Sequence, residues 1–546
     1  MNSERTGLLP GGNKTAKRGF RYVIMGVVIV LAGLMVVAHN FTLRTHPDSI
    51  SKKRNVIFFV SDGMGPASLS MTRSWQQHSQ GLPFSHMLNL DKAFIGSSRT
   101  RSSSSLITDS AAGATAFSCA LKSYNGAIGV DPDKRPCGTI LEAAKLQGYM
   151  TGMVVTTKIT DATPAAFSAH ADYRSMEELI AQQQLGEYEL GRVVDLIIGG
   201  GRTFFYPRGA TSSPYGVSGS RTDGRDLIKE AIADGWQYAG DRKSFDALEQ
   251  GKNVKLPLLA LLADYDIPFD IDRLDSEHPS LKEEAITAIN ALTKATENSD
   301  KGFFLLIEGS RIDHAGHLND PAAQVREVTA FDETFKAVVE YANNSDVETV
   351  ILSTSDHETG GLVTARQVTE NYPDYIWYPE ILRKVHHSCE YLAKKLIQQK
   401  QSDSKHALAK FIEKEIVEQG LGIEDYTKDD IDEIASLIDT PGKLMDKLNN
   451  MVSVRAQIGW TTHGHSAVDV NIYGFSNKKA SKSAILENLG GNHENTDIGH
   501  FMKEYLGLDL QKVTEMLENT THTQDIVSAA ELDFEYKPSF LQEMLD

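Results

Sequence analysis

Cysteine is scarce in this chain: three in 546 residues, at Cys119, Cys137 and Cys389. So few exclude a disulfide-stapled scaffold, while leaving a pairing of Cys119 with Cys137 open. Positive charge is also in short supply. A formal net charge of -18 argues against nucleic acid as a dedicated partner. No internal repeat of fixed period is present. What remains is a composition that folds: 41% hydrophobic and 23% charged residues, enough for one large or two to three ordinary globular domains.

Long hydrophobic runs are absent except for one. Residues 22–41, "YVIMGVVIVLAGLMVVAHNF", hold no acidic residue, lysine or arginine. Twenty helical residues span about 30 Å, the thickness of a bilayer's hydrocarbon core. The length of this run, and the leader ahead of it, favour an uncleaved signal anchor over a cleaved signal peptide. Residues 1–21 carry Arg5, Lys14, Lys17, Arg18 and Arg21 against Glu4. Basic residues just before a span favour a cytosolic amino terminus, which puts everything after Phe41 in a lumen or outside the cell. The tail "ERTGLLP" sets Leu8 and Leu9 behind Glu4, a pattern resembling the acidic dileucine signals read by sorting adaptors on the way to vacuoles and lysosomes. Three glycosylation sequons follow, at Asn40, Asn343 and Asn519.

The body of the chain alternates. "NVIFFVSD" (55–62), "YMTGMVVTT" (149–157), "VVDLIIGGG" (193–201), "GFFLLIEGS" (302–310) and "TVILSTSDHE" (349–358) read as buried parallel strands. Helical patterns lie between them. After the capping pair Asp320–Pro321, the residues Val325, Val328, Phe331, Phe335 and Val338 recur at helical spacing. This pattern predicts an α/β fold with a mostly parallel central sheet covered by helices on both faces. Residues 366–460 are polar, acidic and helical in places, without a clear strand, and read as a cap insertion. Residues 42–54 read as a stalk.

Ligand-type residues gather at the strand ends, where open α/β sheets place their sites. Asp62, Glu308 and the pair Asp356–His357 end three strands, and Thr163 follows a fourth. A lone aspartate after a strand is usually a turn or a cap, but three carboxylates and a threonine at four strand ends, with a histidine attached, are harder to dismiss. "EGSRIDHAGH" sets Asp313 and His317 four apart, on one helical turn. "TTHGHSAVDV" adds His463 and His465, of which spacing alone cannot choose one, since residues two apart on a strand share a side. Imidazole with carboxylate suits zinc; oxygen-only ligands such as Asp62, Thr163 and Glu308 suit magnesium. Ser110, in "TDSAAGATA", has no Gly-x-Ser-x-Gly elbow around it and no histidine near it in sequence. A cation and a helix amino terminus can activate it instead.

Six ordered motifs, "VSDGMG", "TDSAAGATA", "DATPAAFSAH", "EGSRIDHAGH", "STSDHETGG" and "HGHSAVDV", resemble those of alkaline phosphatases over about residues 55–510. With the anchor and tail, the likeness is to the fungal vacuolar, membrane-anchored branch. The resemblance implies Ser110 as nucleophile and Arg174 as phosphate clamp. It implies Asp313, His317 and His465 on one Zn2+, and Asp356, His357 and Asp62 on a second. Thr163 and Glu308 would share one Mg2+ with Asp62, with Asp161 beside it, and Asp469, four residues after His465, decides that histidine over His463. It further implies a homodimer. The catalytic domain is then expected at 55–365 and 461–535, with a C-terminal tail at 536–546, a cytosolic tail at 1–21 and a single-pass type II chain in the vacuolar (lysosome-like) membrane. His314 and Asp161 depart together from patterns that put lysine at the first or histidine at the second, which bears on magnesium. The rival readings are a sulfatase, phosphodiesterase or phosphomutase on the same metal-site plan, and an anchored receptor without catalysis.

Overall fold

Five continuous apolar runs build the centre of a ten-stranded sheet. In the computed structural model, which describes residues 53–210, 217–399 and 404–523, the strands are β1 (Arg54–Val60), β2 (Phe94–Arg99), β3 (Met150–Lys158), β4 (Leu196–Gly200), β5 (Gln237–Ala239), β6 (Leu258–Leu261), β7 (Phe303–Glu308), β8 (Glu348–Thr354), β9 (Glu358–Thr359), β10 (His465–Ser466), β11 (Val470–Ser476) and β12 (Gly491–Glu494). Their order is β12-β2-β11-β8-β1-β7-β3-β4-β6-β5, with β9 and β10 forming a separate small pair. Only β11 runs against its neighbours in the large sheet, pairing antiparallel with β2 and β8. The cytosolic tail, the expected span at 22–41, the Leu8–Leu9 signal, Asn40 and the stalk before Lys53 lie outside the described residues. So do residues 524–546, including the expected C-terminal tail. Among the described residues no helix is long and apolar enough to cross a membrane.

The sheet is covered on both faces, as the unbroken apolar runs require. Along β1, Val56, Phe58 and Val60 join one core cluster, while Ile57 and Phe59 join the other. Four helices matter most for the site: α1 (Ser110–Ser118), α2 (Ala162–Ser168), α3 (Arg311–His317) and α4 (Pro321–Asn343). Phe58 meets Phe117 of α1 and Phe167 of α2 with ring centroids 5.4 and 5.9 Å away. Phe59 meets Phe331 and Phe335 of α4, each at 5.5 Å. Each buried phenyl contributes about 1.5–3 kcal/mol of transfer free energy. These contacts fix helices on opposite faces of β1, the strand that leads into Asp62.

α4 begins where the sequence places it. The Asp320 carboxylate accepts from Ala322 N and Ala323 N, and all five of its spaced apolar residues are buried. Residues 366–460 contain no strand among those described. Their helices include α5 (Cys389–Gln399) and α6 (Pro441–Ala456), which share a core cluster with Leu318 at the end of α3 and with Ala322 and Val325 at the start of α4. Cys119 and Cys137 are joined, with Cα atoms 6.0 Å apart, tying the end of α1 to the following loop. Cys389 is free and buried. Asn343 and Asn519 are both exposed.

Candidate active site

The strands β8, β1, β7 and β3 are neighbours, so their carboxyl ends deliver Asp356 and His357, Asp62, Glu308, and the Asp161–Thr163 turn to one side of the sheet. α1 enters among them with Ser110 as its first residue. Asp109 fixes this start: its Oδ1 accepts from Ala112 N and its Oδ2 from Gly126 N, both at 3.0 Å. The small residues of α1 do what their size allows. A Cβ on Gly113 would lie 2.9 Å from Cβ of Asp356, so only glycine permits the approach.

Ser110 is buried, and its Oγ lies 3.0 Å from His357 Nε2. The histidine that the sequence lacks near this serine is supplied by the fold from 247 positions away. The same Nε2 lies 3.5 Å from Asp62 Oδ1 and 3.2 Å from Asp356 Oδ2. Both of those carboxylate oxygens are buried and accept no hydrogen bond. Burial opposes a charged His357, but Asp356 and Asp313 outweigh it and push its pKa up. The cluster therefore demands positive charge.

A second cluster faces α1 from α3. His317 Nε2 lies 3.2 Å from Asp313 Oδ2 and 3.1 Å from His465 Nε2. His317 Nδ1 pairs with the carbonyl of His463, and His465 Nδ1 with that of Thr108 at 2.8 Å. With both Nδ1 atoms donating, the two Nε2 lone pairs point at one another. Burial, helped by His357, brings His465 down to about 3. Burial works against an ionised Asp313, yet His317 and His465 hold it well below the usual carboxylate range. Two facing lone pairs beside a carboxylate fit a divalent cation with imidazole and carboxylate ligands.

Each of these two groups of three has its ligand atoms within 4.8 Å of one another. His463 belongs to neither. Its side chain is 57% exposed, and its Nε2 lies 3.5 Å from Asp446 Oδ1 on α6. The carboxylates Asp62, Asp161 and Glu308 do not form a third such group among the described residues. Thr163 and Glu308 are buried, and Glu308 Oε2 accepts from Ser310 Oγ at 2.6 Å. Burial, with Asp161 and Asp356 adding to it, pushes Glu308 up to about 8. Asp161 caps α2 through Ala162 N and pairs with Arg174 Nη2 at 2.8 Å. His314 lies 3.5 Å from Asp266 and is brought down to about 4 by burial and by Arg311.

Arg174 reaches from Asp161 to Asp109, whose Oδ2 is 3.5 Å from Nη1. Its side chain is 26% exposed, and its guanidinium is held partly open to solvent by Asp109, the residue immediately before Ser110. Sequence reasoning missed Asp109 and Thr359. The first was legible as a helix cap immediately before the serine. The second, two residues after His357 on a short strand, carries no signal of its own.

Residues 53–508 match the family model for alkaline phosphatase. The repressible alkaline phosphatase of Saccharomyces cerevisiae is 59% identical, over 96% of this chain and 95% of that protein. The crystal structure of a cold-active alkaline phosphatase from Shewanella sp. superposes with a TM-score of 0.67 at 30% identity, over 83% of this chain and 99% of that one. An alkaline phosphatase of the Antarctic bacterium TAB5, with one histidine replaced by aspartate and magnesium bound in its M3 site, gives a TM-score of 0.54 at 26% identity, over 83% and 98%. The chain belongs to the alkaline phosphatase family and is a phosphatase.

Proposed function

We propose that this chain hydrolyses phosphate monoesters of broad specificity through a phosphoserine at Ser110. One observation carries this reading: Ser110 Oγ stands 3.0 Å from His357 Nε2, beside two cation-demanding clusters, with Arg174 held by Asp109, the residue before the serine. Asp313, His317 and His465 would hold one zinc ion, and Asp62, Asp356 and His357 a second. Asp62, Thr163 and Glu308, with Asp161 beside them, would hold magnesium. A TAB5 variant with one histidine replaced by aspartate has magnesium bound in its M3 site, which supports a magnesium site in this family. Bound there, the ions lower the pKa of serine and water oxygens and offset the charge of phosphate.

The chain's own groups do the rest. Arg174 grips two non-bridging phosphate oxygens through its planar fork, having been aimed by Asp109 and Asp161. The amino terminus of α1 presents its free N–H groups and the positive end of its dipole to the same anion. Ser110 Oγ attacks phosphorus in line, the ester P–O bond breaks, and the alcohol leaves. Water then attacks the phosphoserine and releases inorganic phosphate. Grip on the phosphoryl group, not on the alcohol, makes specificity broad.

The chain is further read as a homodimer in the vacuolar (lysosome-like) membrane, anchored by residues 22–41 with its catalytic part in the lumen. An adaptor would read Glu4, Leu8 and Leu9. The joined Cys119–Cys137 pair and the exposed sequons Asn343 and Asn519 support an oxidising, glycosylating compartment. Purified chain should release p-nitrophenol from p-nitrophenyl phosphate far faster than from its sulfate or bis-ester analogues. Equal or greater turnover on either analogue overturns the reading.

A further inference from the structure

Thr359 stands at a crossing of every element that carries the two clusters. Its backbone pairs in register with His465 across β9 and β10, and its N–H donates to the carbonyl of Gly63, next to Asp62, at 3.2 Å. Its hydroxyl donates to Asp313 Oδ1 and lies 3.1 Å from His357 Nδ1. The side chain is fully buried. α3 leaves it no freedom: a Cβ on Gly316 would sit 2.9 Å from Cβ of Thr359.

We infer that Thr359 is a positioning residue that couples the two cation sites, an inference resting on the reading of those clusters as zinc sites. A hydroxyl has one proton to give. Thr359 gives it to the Asp313 carboxylate, so its oxygen must accept the proton on His357 Nδ1. That places the proton of His357 away from Ser110 and leaves the Nε2 lone pair facing Asp62, Asp356 and Ser110 Oγ. One oxygen thus sets the tautomer of a ligand in one cluster and the orientation of a carboxylate in the other. Glu358, the neighbouring residue, is also buried, but its oxygens are taken by Leu362 N and Ser466 Oγ, so it holds the loop and not the ligands.

The test compares Thr359→Val, which keeps shape and removes the hydroxyl, with Thr359→Ser, which keeps the hydroxyl. Zinc-loaded protein is challenged with excess chelator and zinc release is followed by a chromophoric indicator, with kcat, KM and melting temperature measured beside it. Outer partners of metal ligands are typically worth about 10- to 100-fold in affinity or activity. T359V is expected to release both zinc ions about 10- to 100-fold faster and to lose kcat by a similar factor. T359S should stay within about threefold of the unmodified chain, a rescue that a packing role would not give. Release from T359V at the unmodified rate overturns the inference, as does T359S releasing as fast as T359V. Acceleration of one zinc alone overturns the coupling. If T359V cannot be purified folded, T359S decides alone, and release about 10-fold or more faster than from the unmodified chain overturns the inference. If the unmodified chain binds no zinc, the reading of the clusters fails first, and that failure shows before any variant is made.

Discussion

His317 Nε2 and His465 Nε2 face each other across 3.1 Å, while the Nδ1 of each ring is committed to a backbone carbonyl. Two lone pairs at that distance repel, and Asp313 adds a negative charge beside them. A divalent cation turns all three contacts favourable, which makes His465 the expected ligand and leaves exposed His463 outside. Replacing His465 by alanine should remove one zinc per chain and nearly all turnover. Replacing His463 should keep both zinc ions and cost no more than the roughly 10- to 100-fold of a group that only orients a ligand. Metal analysis and turnover of the two variants check this, and the reverse pattern would exchange their roles.

Arg174 is preorganised by Asp161 at 2.8 Å and Asp109 at 3.5 Å. A hydrogen bond to a charged group is worth about 1.5–3 kcal/mol, so Arg174→Ala, even if water replaces one of the two, should lower kcat/KM by at least about tenfold and weaken inhibition by inorganic phosphate alongside. Arg174→Lys should recover part of this, since lysine keeps the charge but loses the fork. An alanine variant with unchanged phosphate inhibition would remove Arg174 from the clamp.

His170 Nε2 pairs with Glu142 Oε1 at 2.8 Å and its Nδ1 with the Gly129 carbonyl at 2.7 Å, the side chains of His170 and Glu142 both fully buried. Burial opposes the charged ring, but Glu142 outweighs it and His170 is raised above the usual imidazole pKa. Glu142, for its part, is buried yet held below its ordinary value by His170 and by the Thr139 N–H. A raised pKa means that the stability from His170 is full below about 6.5, its unfolded value, and is lost as pH rises through the folded value. A lowered one means that the stability from Glu142 is present above about 4.3 and lost as pH falls through its folded value. Breaking a buried pair from one side costs about 3–5 kcal/mol, so His170→Ala should melt well below the unmodified chain at about pH 6, and the gap should narrow as pH rises. Thermal melts across pH check the sign; a gap that widens with pH contradicts it.

Leu8→Ala combined with Leu9→Ala should misdirect the protein in cells and leave its turnover unchanged, because the tail and the catalytic part are separated by the membrane in the proposed topology. Fractionation with an activity assay reads both, and normal delivery to the vacuole would dismiss the signal.

The parts of the fold that could be read from sequence are those with both faces buried. The five apolar runs became β1, β3, β4, β7 and β8, which are contiguous in the sheet. Of the strands missed, β2 (FIGSSR), β5 (QYA) and β12 (GNHE) have too few apolar residues to stand out, while β6 (LLAL) is fully buried but only four residues long. The helical pairing of Asp313 with His317 could be read because it depends on one turn of α3 alone. The meeting of Ser110 with His357, and the double contact of Thr359, depend on how four strand ends converge, and no local spacing encodes them. Likewise Gly113 reads only as a small residue until Asp356 is packed against it.

Phosphoserine formation at Ser110 is the central claim. Quenching the metal-loaded chain during turnover of a monoester, and mapping phosphate by mass spectrometry, tests it most directly. The account predicts phosphate on the peptide that contains Ser110, absent from Ser110→Ala, which should keep its metals and lose nearly all turnover. Phosphate on another residue, or a Ser110→Ala variant as active as the unmodified chain, would contradict it.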